Sequence, residues 1–124
     1  MPLISPADAP TFTVAGSTFV GLASPLRGAA ENAVWVVALA PATSITPDRL
    51  TREHIIVGIE GRVLALVEDE KYVVTAGSAL IVPPKLKFCL TNTGKNRFLG
   101  LAILPVGGRS VIADGEPVLL PWSA

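Results

Sequence analysis

Short apolar runs, separated by turn residues about every 8–12 positions, constrain this chain more than any other feature of its sequence. No segment keeps the period of apolar residues that an amphipathic helix requires. The pattern therefore predicts an all-β sandwich or barrel. The predicted strands are Thr11 to Val14, Ser17 to Leu22, Ala33 to Ala40, Ile55 to Ile59, Val63 to Val67, Tyr72 to Thr75, Ala79 to Val82, Leu86 to Thr91 and Phe98 to Leu104, with Val111 and Ile112 as the weakest candidate.

Charge and cysteine content exclude several classes of protein. Lys and Arg together number ten, and so do Asp and Glu, so there is no basic excess to hold nucleic acid or an acidic membrane surface. The longest apolar run, AVWVVALA, has eight residues and is too short to span a bilayer. The single cysteine, Cys89, excludes an intrachain disulfide framework and is expected to be a small buried hydrophobe.

Length and hydropathy indicate how the chain is organised. The 124 residues predict one domain over 1–124, with an irregular arm at 1–10 and a C-terminal tail at 113–124. A mean hydropathy of +0.55 predicts buried surface beyond one core, most simply a homodimer interface. The first ten residues lack the basic and apolar regions of a signal peptide, so we expect a cytoplasmic protein.

The stretch TREHIIVGIEG, residues 51–61, carries the only histidine of the chain on a predicted strand. Side chains alternate between the two faces of a strand, so His54 and Ile56 face the same way. The opposite face is apolar throughout and comprises Ile55, Val57 and Ile59. We expect that outer face to be covered by the N-terminal strands or by a second subunit.

Three interpretations of an inward-facing His54 stay open at this point. It is a core histidine bonded to a carbonyl or a water, the polar anchor of an apolar ligand pocket, or a general acid or base oriented by Asp48. Imidazole titrates near neutral pH, and a carboxylate partner would fix its tautomer. His54 and Asp48 are therefore the candidate catalytic residues.

Residues 77–92, GSALIVPPKLKFCLTN, resemble the second motif of the cupin superfamily. In that motif a glycine is followed at fixed spacing by a proline, a second glycine, a histidine and an asparagine. Gly77, Pro83 and Asn92 fall on the pattern, whereas Lys85 stands at the second glycine and Phe88 at the histidine. The resemblance implies a double-stranded β-helix, the jelly-roll barrel of the small single-domain cupins.

The first cupin motif ends with a glutamate, six further residues and a glycine. Gly61 matches that glycine, and His54 stands where the glutamate would be. The window where the two motif histidines belong contains no histidine, and its candidates are Asp48 with Leu50, or Pro47 with Arg49.

The ligands that the resemblance implies are largely absent. Cupin oxygenases and isomerases commonly hold Fe, Mn, Ni or Zn with three imidazoles and a carboxylate. The inferred positions here hold Asp48, Leu50, His54 and Phe88, and neither a leucine nor a phenylalanine can donate to a metal. We therefore predict no metal site and no cofactor.

The interior that remains is apolar with a single imidazole, a profile typical of a hydrophobic small-molecule pocket. The predicted ligand-binding residues are His54, Ile56, Leu86, Phe88, Leu50 and Trp35. Trp122, in the tail, is expected to cap a barrel mouth or to lie on a partner subunit. The alternative is a barrel packed solid with side chains.

The first functional hypothesis is a metal-free cupin that binds an apolar or aromatic small molecule. The rivals are a metal-independent isomerase or cyclase acting through His54 and Asp48, a metalloenzyme with an atypical site, and a structural dimer. The sequence leaves open whether any reaction is catalysed.

Overall fold

Eleven strands and two short 3-10 helices make up the computed structural model, which describes residues 1–124. The strands are β1 (Thr11–Val14), β2 (Ser17–Ala23), β3 (Asn32–Leu39), β4 (Asp48–Leu50), β5 (His54–Glu60), β6 (Arg62–Val67), β7 (Glu70–Thr75), β8 (Ala79–Val82), β9 (Lys87–Thr91), β10 (Phe98–Pro105) and β11 (Ser110–Val111). The 3-10 helices lie at Pro25–Arg27 and Pro121–Ser123. No helix is long and apolar enough to cross a membrane.

The strands form two antiparallel sheets that face each other. The larger sheet has the order β1-β2-β3-β10-β5-β8, and the smaller has the order β11-β4-β9-β6-β7. From β3 onwards successive strands alternate between the sheets, except for the β6–β7 hairpin within the smaller sheet, and this is the winding of a double-stranded β-helix. The predicted all-β fold class is therefore confirmed. The short strand β4 was not predicted, because it has only three residues and begins at the end of the polar connection from Pro41 to Asp48.

Alternation along the strands places the core between the two sheets. On β3, β5 and β10 every second side chain is buried and the intervening ones are half-buried or exposed. Seventeen buried apolar residues from both sheets form one continuous cluster. The strands therefore form because each can bury one apolar face against the opposite sheet.

Two turn positions of the cupin motifs have backbone conformations that favour glycine. Gly61 has φ +73°, and a Cβ atom there would lie 2.3 Å from the carbonyl oxygen of Arg97. Lys85, at the position of the second motif glycine, also adopts a left-handed conformation with φ 70°. An L-residue in that region costs about 1–2 kcal/mol, so Lys85 carries strain that a glycine would not.

Asn92 is fully buried and ties three backbone groups together. Its amide nitrogen donates to the carbonyl oxygens of Leu39 and Asn96, each at 2.9 Å. Its side-chain oxygen accepts from the backbone nitrogen of Gly94 at 3.0 Å. The motif asparagine therefore holds the β9–β10 turn against the end of β3.

The outer face of the larger sheet is apolar across most of its width. One row of paired residues runs through Val20, Val36, Leu101, Val57 and Ala79, and the next through Val34, Ile103, Ile55 and Ile81. Ile59 and Ile81 on this face are 49% and 61% exposed. The expectation that the N-terminal strands cover this face is wrong, because β1 and β2 extend the sheet at its edge.

Candidate ligand-binding site

A cavity of about 280 Å³ lies between the sheets, and fourteen of its twenty lining residues are hydrophobic. Both sheets contribute to its walls, through β2, β3, β5 and β10 on one side and β4, β9 and β11 on the other. The expectation of a solidly packed barrel is therefore wrong.

Five of the six residues predicted to bind a ligand border this cavity, namely Trp35, Leu50, His54, Ile56 and Phe88. Leu86 does not, although alternation from Phe88 places it on the same face. Strand β9 begins only at Lys87, so the alternation does not extend back to Leu86. Leu86 instead packs half-buried against the core cluster.

The cavity also distinguishes the two candidate placements of the first cupin motif. Asp48 and Leu50 line it, together with His54 and Phe88. Arg49 lines a separate crevice of about 130 Å³, as does Pro47, and Asp48 borders both spaces. Asp48, Leu50, His54 and Phe88 therefore border one cavity, as the resemblance implies for the four ligand positions.

The imidazole of His54 is a deeply buried polar group of the cavity. The residue is 1% exposed, and neither ring nitrogen has a hydrogen-bond partner. Burial lowers the pKa of His54 to about 4, so the ring is neutral at pH 7. Its ring meets that of Phe88 edge to face, with centroids 4.7 Å apart.

Asp48 is engaged by a different partner from the one expected. The hydroxyl of Ser110 donates to Asp48 Oδ2 at 2.5 Å, and no hydrogen bond joins Asp48 to His54. Burial raises the pKa of Asp48, and the hydrogen bond from Ser110 opposes that rise. The interpretation in which Asp48 orients His54 is therefore not supported by a hydrogen bond between them.

Ser110 itself was missed as a cavity residue because nothing in the sequence shows that β11 pairs with β4. The pairing sets Ser110 opposite Leu50, and it brings the buried hydroxyl to the cavity wall.

One aromatic ring of the C-terminal tail, that of Trp122, borders the cavity. Trp122 stacks on Phe19 with ring centroids 4.0 Å apart and an interplanar angle of 9°. Both rings border the cavity, as does Leu120. Trp122 therefore packs within its own chain at the edge of the cavity, as the first of its two expected positions requires.

The donor set does not fit the metal that the fold family implies. No group of three or more His, Cys, Asp or Glu side chains could hold a metal ion. Leu50 and Phe88 present only hydrocarbon. Cys89 is not a cavity residue, and its thiol donates to the carbonyl oxygen of Ile45 at 3.2 Å. A transition ion needs at least three good converging N, O or S donors, and the only imidazole and carboxylate that line this cavity are those of His54 and Asp48.

Comparison with known proteins identifies the family. The cupin domain family matches residues 35–104, which is more than half of the chain. The chain therefore belongs to the cupin superfamily, and the resemblance drawn from its motifs is confirmed. No curated protein sequence matches it.

Solved structures of other proteins share the fold at low sequence identity. The polyketide cyclase RemF from Streptomyces resistomycificus is 19% identical with a TM-score of 0.78, over 87% of this chain and 81% of that chain. KdgF from Halomonas sp. is 15% identical with a TM-score of 0.73, over 85% and 93%. A sugar phosphate isomerase of the cupin superfamily from Silicibacter pomeroyi is 13% identical with a TM-score of 0.69, over 81% and 67%.

Proposed function

We propose that this chain binds an apolar or aromatic small molecule in the cavity between its sheets, without a metal ion. The observation that carries the proposal is an apolar cavity of about 280 Å³ with one buried, unpartnered imidazole. An unsatisfied buried polar group costs about 1–3 kcal/mol, and a ligand with a polar group would offset that cost. Ligand pockets typically start near 300 Å³, so the cavity suits a small ligand.

We propose binding without a metal ion because too few side chains around His54 can bind one. Three or more donors are needed for tight binding of a divalent first-row ion, and the wall around His54 supplies only that imidazole and the Asp48 carboxylate. Two such groups would leave the ion mostly to water.

Equilibrium dialysis of the protein against naphthalene tests the proposal. Ala102 lines the cavity, so Ala102→Leu places three carbons inside it and should weaken binding by about tenfold or more. Ala38 lies on the same sheet with its side chain on the outer face, so Ala38→Leu adds the same atoms outside and should leave binding unchanged. A wild-type protein that binds neither naphthalene nor its hydroxylated or charged derivatives would contradict the proposal, and so would unchanged binding by Ala102→Leu.

A second candidate function is a metal-independent isomerase or cyclase acting through His54 and Asp48. Both groups border one cavity, and burial moves their pKa values towards each other, that of Asp48 upwards and that of His54 downwards. The names of two structural neighbours, a polyketide cyclase and a sugar phosphate isomerase, are consistent with such chemistry. His54→Gln separates the candidates, because an enzyme would lose turnover of a poly-β-ketone substrate while it retains affinity for naphthalene.

We further propose a homodimer formed through the outer face of the larger sheet. Two adjacent rows of that face are entirely apolar, and an exposed patch of this kind on a soluble protein usually marks an interface. A second copy would present an equally apolar sheet face, as a two-fold interface requires.

Two further predictions from the sequence stay predictions. One is that residues 1–124 form a single cupin domain, and the other is that the protein is cytoplasmic.

A further inference from the structure

The charges around the cavity restrict the ligand that it can hold. No lysine or arginine lines it, and its titratable groups are Asp48 and His54. A carboxylate or phosphate inside would meet no cation and would face the Asp48 carboxylate. Burying an unpaired charge is far more costly than burying a hydrogen-bonded neutral group. The cavity therefore disfavours an anionic ligand.

Asp48, the one carboxylate of the cavity, is also poorly placed to pair with a positively charged group of a deeply buried ligand. Asp48 is half-buried, already accepts a hydrogen bond from Ser110, and borders the outer crevice as well as the cavity. The group at depth is His54, which is neutral at pH 7 and presents one donor and one acceptor. A hydroxyl group both donates and accepts, so it can pair with whichever ring nitrogen faces it.

Aromatic side chains make up much of the wall. Phe19, Trp35, Phe88 and Trp122 all line the cavity. Aromatic pairs gain about 0.5–1.5 kcal/mol beyond simple burial, so such walls favour an aromatic ligand over an aliphatic one. A dry cavity of about 150 Å³ accommodates benzene, and this one is close to twice that size.

Building on the proposed function, we infer that the ligand is an uncharged aromatic alcohol, a phenol of about two fused rings, whose hydroxyl group pairs with the imidazole of His54. The hydroxyl would satisfy a ring nitrogen that no protein group reaches. The rings would lie among the aromatic walls.

Four probes that share one ring system but differ in their polar group test this inference by equilibrium dialysis at pH 7. They are naphthalene, 2-naphthol, 2-naphthoate and 2-naphthylmethylammonium. We expect 2-naphthol to bind about five- to tenfold more tightly than naphthalene, which is the net value of one hydrogen bond. The two charged probes should bind at least about tenfold more weakly than naphthalene.

Two variants locate the hydrogen bond. His54→Leu removes both ring nitrogens at similar volume, so 2-naphthol should lose its advantage while affinity for naphthalene changes less than about twofold. Ser44→Ala is the matched control, because Ser44 also lines the cavity but its hydroxyl is hydrogen-bonded to Thr91 at 2.8 Å. That variant should retain the full advantage of 2-naphthol.

The outcomes separate this inference from the function on which it rests. If none of the four probes binds, both the proposed function and the ligand class are wrong. If naphthalene binds but a charged probe equals or exceeds 2-naphthol, the ligand class alone is wrong. If 2-naphthol still binds more tightly than naphthalene to the His54→Leu variant, the hydroxyl group does not pair with His54. The wild-type series decides the ligand class even if a variant fails to fold.

Discussion

The imidazole of His54 lies edge to face with the phenyl ring of Phe88, with ring centroids 4.7 Å apart and an interplanar angle of 81°. The cupin motifs place a glutamate and a histidine at these two positions, where both would bind one metal ion. Here the same two positions form an aromatic contact, which is worth about 0.5–1.5 kcal/mol.

His54 should make the protein less stable in acid. Its pKa is about 4 in the folded state and near 6.5 in the unfolded chain, so the unfolded chain binds more protons between those values. Stability therefore rises with pH across that window and is lost as the pH falls through it. The predicted loss between pH 7 and pH 4 is roughly 3 kcal/mol, measured by urea denaturation at each pH.

His54→Leu is the control, because it cannot take up a proton. The raised pKa of Asp48 acts in the opposite direction, but it is present in both proteins and cancels in their difference. A difference between wild type and variant that stays constant from pH 7 to pH 4 would contradict the burial of a neutral imidazole.

Lys85→Gly should stabilise the protein by about 1 kcal/mol. Lys85 has φ 70°, a conformation that glycine adopts without the Cβ clash, although the extra freedom of glycine in the unfolded chain offsets part of the gain. Lys87→Gly is the matched control in strand β9, where glycine should destabilise by about 0.5–1 kcal/mol. Thermal unfolding of both variants measures the contrast, and equal destabilisation would refute the account of the turn.

Asn92→Ala should destabilise the fold by about 2–4 kcal/mol, because it removes three hydrogen bonds and takes the side-chain partner from the buried carbonyl of Leu39. Asn96 is exposed and takes part in this network only through its backbone carbonyl, so Asn96→Ala should cost less than about 0.5 kcal/mol. Chemical denaturation distinguishes the two, and a small effect of Asn92→Ala would show that the turn does not depend on its side chain.

Ile81→Glu should dissociate the proposed dimer. Ile81 is 61% exposed on the outer face of the larger sheet, and a carboxylate in an apolar interface should raise the dissociation constant by about tenfold or more. Val73→Glu is the control, since Val73 is 59% exposed but lies on β7 of the other sheet. Sedimentation velocity reads the result, and a monomeric wild-type protein would disprove this interface.

Divalent metal ions should not stabilise the protein. A site occupied at a hundred times its dissociation constant would add about 2.7 kcal/mol to the free energy of unfolding. Because only Asp48 and His54 offer donors on the cavity wall, Zn²⁺, Mn²⁺ or Ni²⁺ should leave the melting temperature unchanged. A clear upward shift that His54→Leu abolishes would instead support the metalloenzyme alternative, and elemental analysis of untagged protein would then identify the ion.

Much of the fold could be read from the sequence because its signals are local. Alternating apolar residues set the strands, and Gly61, Gly77 and Asn92 mark the turns whose geometry they make feasible. The inward orientation of His54 and Ile56 followed from alternation within a single strand.

The contacts that sequence reasoning missed join segments far apart in the chain. Ser110 reaches Asp48 across 62 residues, and Trp122 reaches Phe19 from the tail. No local pattern encodes either contact, because each depends on how the strands are ordered in the two sheets. Leu86 was misplaced for a smaller reason, since the strand begins one residue later than its apolar pattern suggests.

Both tryptophans of this chain, Trp35 and Trp122, border the same interior space. Indole emission depends on what surrounds the ring, and no indole elsewhere in the chain adds a background signal. The protein thus carries an intrinsic optical reporter of whether its interior is empty or filled, and unlabelled material is enough to screen a metabolite collection.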